Sequence, residues 1–199
     1  MVYEVKKINY NDTKPFILNI HYAKRMPSIS YAYGLFLNNE LVGIVSYGSP
    51  ASPSLCKGIA GLENKSFVIE LNRLVLKYNK KNEASMLVGK SLQLLPKPKI
   101  VVSYADTNQN HVGFIYQATN FYFTGTSKPR TDMASKNGKH PRHHLGDKTK
   151  RIFRSSKHRY VYLVGNKKDK KYFLNNLKYP LLNYPKKNEV INGSWCLCF

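Results

Sequence analysis

Three short blocks set reactive side chains beside apolar core positions. They are Glu70-Leu71-Asn72-Arg73-Leu74-Val75-Leu76, Ser103-Tyr104-Ala105-Asp106 and Gly113-Phe114-Ile115-Tyr116-Gln117-Ala118-Thr119-Asn120-Phe121. A fourth, His21-Tyr22, lies upstream. Asp106 is a candidate base or hydrogen-bond acceptor. Arg73 can orient that carboxylate or neutralise charge on a donor. His21 can carry a proton or ligate a metal, and Tyr116 can donate to developing negative charge. Each also has a structural alternative. Arg73 can pair with Glu70, Asp106 can cap the following segment, His21 can cap a helix, and Tyr116 can pack between helix and sheet.

These residues need elements to hold them. Residues 2–8 alternate apolar and polar and predict a strand. Residues 11–23 predict a helix, with Asn11 or Asp12 as N-cap and Pro15 in its first turn. Residues 31–37 and 41–47 predict two strands joined by a tight turn at Asn38-Asn39-Glu40. Residues 48–61, rich in Pro, Ser and Gly, predict a loop. Residues 66–76 predict a long strand whose apolar phase shifts at Asn72-Arg73, as a bulge would make it. Asn82 is expected to cap a helix running to Leu95, stopped by Pro96 and Pro98, and residues 100–104 a buried strand. A loop, a helix over residues 112–119 and a left-handed Asn120 lead into a strand over residues 121–126. Residues 128–157 are almost free of apolar side chains and read as a basic insertion. A closing strand over residues 158–164 and a basic helix over residues 167–177 follow.

The order of elements resembles the GNAT acyltransferase fold, a mixed α/β (α+β) sheet. The resemblance implies a catalytic domain over residues 1–165 with the basic insertion at about 127–157, and a basic C-terminal extension over residues 166–199. It further implies that acetyl-CoA binds where the bulged strand splays from its neighbour. Leu74 and Leu76 would meet the pantetheine arm there, and Lys81, Asn82 and Ser85 the pyrophosphate at a helix N-terminus. One departure stands out: the stretch Lys80-Lys81-Asn82-Glu83-Ala84-Ser85 lacks the family's glycine-rich loop, and Glu83 does not suit an anion. Ile115-Tyr116-Gln117-Ala118-Thr119-Asn120-Phe121 is similar to the stretch whose Tyr protonates the leaving thiolate in GNAT enzymes.

Taken together, the four blocks look like the Mom proteins of bacteriophages, GNAT-related enzymes that modify adenine in DNA and shield phage genomes from host restriction. This closer resemblance covers roughly residues 21–125. It implies that His21, Tyr22, Arg73, Asp106 and Tyr116 form the active site. It also implies that an acetamido-type group derived from acetyl-CoA is placed on N6 of adenine in double-stranded DNA, and that iron is a conceivable cofactor. No compact ligand set for a metal is visible in the sequence. The host cytoplasm is the expected location.

Charge supports a polyanionic partner. The chain of 199 residues carries a net +21, and residues 128–171 hold 15 Lys or Arg against 3 Asp. Such a field attracts nucleic acid and says nothing about fold. Arg142, His143, His144, Lys150, Arg151 and Arg154 are the expected phosphate contacts, with strong salt dependence. An adenine inside a duplex hides its N6, so the target base is expected to be flipped out. No apolar run approaches the roughly 20 residues that span a membrane, and the N-terminus shows no signal-peptide pattern. The cysteines, Cys56, Cys196 and Cys198, make no disulfide framework.

Two other functions fit parts of the sequence. A conventional GNAT N-acetyltransferase acting on a small molecule or protein would account for Tyr116 and the fold, but not for the basic segment. A non-catalytic nucleic-acid-binding protein on a decayed GNAT fold would account for the charge and the altered loop. It would leave Arg73, Asp106 and Tyr116 without a role.

Overall fold

A computed structural model describes residues 2–133 and 151–186. Arg142, His143, His144 and Lys150 lie outside the described residues, as do Cys196 and Cys198.

Seven strands form one mixed sheet in the order β1-β2-β3-β4-β5-β9-β6. They are β1 (Tyr3–Lys7), β2 (Tyr31–Leu37), β3 (Glu40–Gly48), β4 (Val68–Leu76), β5 (Lys99–Asp106), β6 (Tyr122–Thr126) and β9 (Lys157–Val164). Only β4 and β5 run parallel; the other neighbours pair antiparallel. Parallel neighbours need a crossover, and α3 (Glu83–Leu94) supplies it. The β2–β3 turn is as expected: Asn38 and Asn39 take φ of 48° and 70°, the left-handed pair that a two-residue hairpin turn demands. This is the GNAT arrangement.

The helices cover both faces. Leu87, Val88 and Leu92 of α3 pack with Tyr33, Tyr47, Val101, Phe121 and Tyr160 on one side. On the other, α2 (Pro53–Asn64) and α5 (Lys167–Asn176) bury Cys56, Ile59, Ala60 and Phe173 against Val68, Ile100, Val102 and Val161. The sequence reading missed α2, because Pro and Ser at 52–54 looked like loop chemistry. They are a helix start instead: Ser52 is the N-cap, accepting from the Leu55 N–H at 3.3 Å, and Pro53 occupies the first helical position, where no N–H is needed. Gly61 kinks the helix.

The first helix also differs from expectation. α1 (Tyr10–Pro15) starts one turn earlier, at Asn9, whose N–H donates to Asp12 at 2.9 Å. Pro15 ends it, and the chain widens into a π-turn over Phe16–Ile20. α5, within the extension, buries the Phe173 ring in the core. Phe173→Ala should cost about 3–5 kcal/mol, a loss read directly from chemical unfolding.

Candidate active site

The cleft begins where the sheet opens. β4 and β5 are paired only at Val68↔Ile100, Ile69↔Val101 and Glu70↔Val102; beyond that rung the strands separate. On its other edge β4 pairs Ser46↔Arg73 and Tyr47↔Leu71, skipping Asn72. Asn72 is therefore the bulged residue, at the position where the apolar phase shifts. Its side chain accepts from the Ser46 hydroxyl at 2.7 Å and donates to the Ser28 carbonyl at 2.7 Å. Ser103 bridges the opening: its hydroxyl donates to the Leu71 carbonyl at 3.0 Å, past the last backbone pair.

Asn72 and Arg73 hold the segment that carries His21 and Tyr22. Arg73 donates through Nη1 to the Asn72 carbonyl at 2.6 Å and through Nη2 to the Arg25 carbonyl at 2.9 Å. Its Nε is buried and has no hydrogen-bond partner among the described residues. The π-turn delivers His21, whose N–H donates to the Phe16 carbonyl at 3.0 Å; π-turns recur at functional sites. His21 is buried and its Nδ1 accepts from the Ala23 N–H at 3.0 Å. Burial and the nearby Arg73 guanidinium lower its pKa to about 4. Tyr22 stacks on it with ring centroids 4.4 Å apart and planes at 27°, and remains 61% exposed.

That imidazole has a consequence for stability. A folded-state pKa near 4, below the ordinary 6.5, means the unfolded chain binds the proton first. Stability from neutral His21 is fully present above pH about 6.5 and is lost as pH falls toward about 4. A proton NMR titration of the ring should show no charging at pH 6. His21→Gln should flatten the slope of stability against pH in that window.

Tyr116 stands on α4 (Phe114–Ala118), launched by Gly113. Gly113 takes φ of 77°, and a Cβ there would lie 2.5 Å from the Tyr160 ring, so only glycine fits. The Tyr116 ring packs against Phe121 and Tyr160 at 5.3 and 5.2 Å. It keeps some accessible surface, although protein surrounds most of it. Burial raises its pKa to about 12, with Tyr22, Glu70 and Tyr160 pushing the same way and a hydrogen bond with Ser103 opposing. The phenol is therefore protonated at neutral pH and able to donate.

Glu70 sits on the last paired rung. Burial raises its carboxyl above the ordinary range, against the pull of Arg73, Lys157 and the Ala51 N–H. It is electrostatically coupled to Tyr116 and Tyr104 as well. The sequence reading treated Glu70 only as an ion-pair partner of Arg73. A carboxylate within the apolar stretch Val68–Leu71, two residues before the bulge, is the signal that could have marked it.

Asp106 ends β5 and does cap the next segment, accepting from the Asn108 N–H at 3.0 Å. It also accepts from the Ser155 hydroxyl and pairs with Lys157 at 3.3 Å. Burial alone would raise its pKa, but Ser155, the Asn108 N–H and Lys157 outweigh it and hold the carboxyl below the usual range. Lys157, which also acts electrostatically on Glu70, links it to the cleft. Thus His21, Tyr22, Arg73, Glu70 and Tyr116 are neighbours by contact or electrostatic reach, and Asp106 joins them through Lys157.

A groove of about 370 Å³ lies between α3 and α4, lined by Asn82, Ser85, Met86, Gly89, Thr119 and Tyr162 among others. Asn82 occupies the α3 N-cap position, but in a left-handed conformation, φ 67°, and without a side-chain cap bond. Glu83 structures the turn instead: it accepts from the Tyr3 hydroxyl and the Lys80 N–H, both at 2.8 Å, and is 1% exposed. The carboxylate that looked unfavourable for an anion is thus turned into the protein. Leu74 and Leu76 pack on the core beside the opening, and Lys81 is exposed. These residues fit a CoA-type donor. They do not fit iron: the charged neighbour of His21 is a guanidinium, and among the described residues no three His, Cys, Asp or Glu gather as ligands.

Comparison with known proteins identifies the fold and the family. The chain is 31% identical over 112 residues to the methylcarbamoylase Mom of Escherichia phage Mu, a match covering 53% of this chain and 46% of that protein. It therefore spans about half the length of that relative. Among solved structures, Arabidopsis thaliana NAA60 in complex with acetyl-CoA superposes with a TM-score of 0.54 at 12% identity, covering 82% of this chain and 99% of that one. A Bacillus subtilis acetyltransferase in complex with CoA gives a TM-score of 0.51 at 12% identity, covering 81% and 99%. Identities this low show the fold alone. The model of the Mom protein family matches residues 2–186, and this chain belongs to that family.

Proposed function

We propose that the protein transfers an acetyl-CoA-derived, acetamido-type group to N6 of adenine in double-stranded DNA, in the host cytoplasm, protecting that DNA from restriction. The Mu relative is named for a methylcarbamoyl group, an isomer of the acetamido substituent. The observation that carries the reading is the convergence at one open strand end: a carboxylate with a raised pKa, a protonated phenol, and an exposed aromatic face on Tyr22.

The N6 amine of adenine is a poor nucleophile because its lone pair is delocalised into the ring. A flipped base would stack on the free face of Tyr22, held rigid by His21 beneath it. Glu70 would accept the proton from N6, since burial makes it a stronger base than a free glutamate. Tyr116 would donate to the leaving sulfur. The open Nε of Arg73 would donate to an oxygen in the cleft, and Arg73 also positions the Tyr22 segment. Asp106 would act through Lys157, fixing that cation near Glu70. Leu74 and Leu76 would line the pantetheine arm, and Lys81, Asn82 and Ser85 the pyrophosphate; acetyl-CoA would supply the two carbons and the oxygen, its sulfur leaving as CoA thiol, while the amide nitrogen would come from an ammonia donor and the two hydrogens lost would go to a two-electron oxidant. Arg151 and Arg154, with Arg142, His143, His144 and Lys150, would meet phosphates.

The test is mass spectrometry of nucleosides from DNA of bacteria expressing the protein. A new deoxyadenosine derivative is expected. Its absence despite soluble protein would defeat this reading.

A further inference from the structure

A two-stranded arm, β7 (Arg130–Met133) paired with β8 (Arg151–Arg154), stands apart from the main sheet. Among the described residues, its hydrogen bonds to the main sheet lie at its root. The Ser127 N–H donates to the Lys157 carbonyl at 2.9 Å and the Lys157 N–H to the Ser127 hydroxyl at 3.0 Å. Thr107 bonds the Ser156 carbonyl through its N–H at 3.2 Å and its hydroxyl at 2.8 Å, and Ser155 bonds Asp106. The pairing Arg130↔Arg154, Thr131↔Phe153, Asp132↔Ile152 puts directly opposed side chains on one face. Arg130, Asp132, Ile152 and Arg154 share one face, and Asp132 pairs both arginines at 3.4 and 3.3 Å. Thr131, Arg151 and Phe153 share the other, where Phe153 is 67% exposed.

Two strands alone are marginally stable in water, and an exposed Phe on such an arm contributes nothing to the core. Arg151 shares its face, on a chain of net charge +21, so charge complementarity points to a polyanion. An apolar side chain beside a cation suits duplex DNA in particular: it enters the base stack while its neighbour meets the phosphates. The root of the arm also lies near the cleft, since Lys157 pairs with Asp106 and is within electrostatic reach of Glu70. The four residue steps from Phe153 to Lys157 span at most about 13 Å.

We propose that the β7–β8 arm is a DNA wedge. Phe153 inserts into the duplex beside the target and fills the gap left by the extruded adenine, with Arg151 on the adjoining phosphates. The inference rests on adenine in duplex DNA being the substrate, and its test separates the two. A pool of duplexes carrying 2-aminopurine, a fluorescent adenine analogue, at one position flanked by randomised bases is titrated with protein without acetyl-CoA. Wild-type protein should raise the fluorescence as the analogue unstacks; Phe153→Ala should lose most of the rise and Phe153→Trp restore it. In turnover, Phe153→Ala should lower the ratio of duplex to single-strand modification at least tenfold. An unchanged rise and ratio in Phe153→Ala would overturn the wedge, as would a Phe153-dependent dimer by light scattering without DNA. If wild-type protein modifies no DNA, the substrate reading fails, while the fluorescence still decides the wedge.

Discussion

Glu70→Gln is expected to lower the rate of DNA modification by about 10²-fold or more, the usual contribution of a positioned general base, with little change in DNA affinity. The carboxyl stands at the last β4–β5 rung, where the strands part, and its pKa is raised by burial. The rate should therefore climb with pH through a range above that of a free glutamate, as Glu70 loses its proton, and Glu70→Gln should remove that limb. Asp106→Asn should behave differently. Its carboxyl already accepts from Ser155 and Asn108, pairs with Lys157 and has a lowered pKa. Acting through Lys157, it should shift the same limb without abolishing it. Single-turnover rates across pH on both variants check the assignment.

Gly48→Ala should be among the most damaging single changes to stability away from the core. A Cβ at Gly48 would lie 1.8 Å from the Ser28 carbonyl oxygen and 3.0 Å from the Asn72 amide nitrogen. Both are backbone or pinned groups, since Asn72 holds Ser28 and Ser46 at once. The segment carrying Tyr22 and Arg25 must then lift from the bulge. The cost should be on the order of 3 kcal/mol, lowering Tm by roughly 10 °C for a chain of this length. Activity at low temperature should fall as well, because Arg73 loses its hold on the Arg25 carbonyl. Thermal unfolding and turnover measured on the same preparation would show both effects together.

Much of this arrangement is legible in the sequence. Apolar alternation marks most of the sheet, paired asparagines mark the β2–β3 turn, and the phase slip at Asn72 marks the bulge that opens the cleft. These are local signals. The unread parts depend on residues distant in sequence. Glu83 is an unfavourable charge until Tyr3, 80 residues away, bonds it. Glu70 is one carboxylate among several until burial raises its pKa. Asp106 looks free until Ser155 and Lys157, at the end of the insertion, return to it. Ser52-Pro53 fits a loop as well as a helix start, and only the packing of Cys56 and Ile59 decides it.

The most direct measurement adds duplex DNA and acetyl-CoA isotopically labelled in its acetyl carbons to a lysate of bacteria expressing the protein, which supplies the nitrogen donor and the oxidant, and then digests the DNA to nucleosides. The account predicts label in a deoxyadenosine derivative with wild-type protein and at least about 10²-fold less with Glu70→Gln. Label that never enters DNA, or that Glu70→Gln incorporates as fast as the wild type, would contradict it.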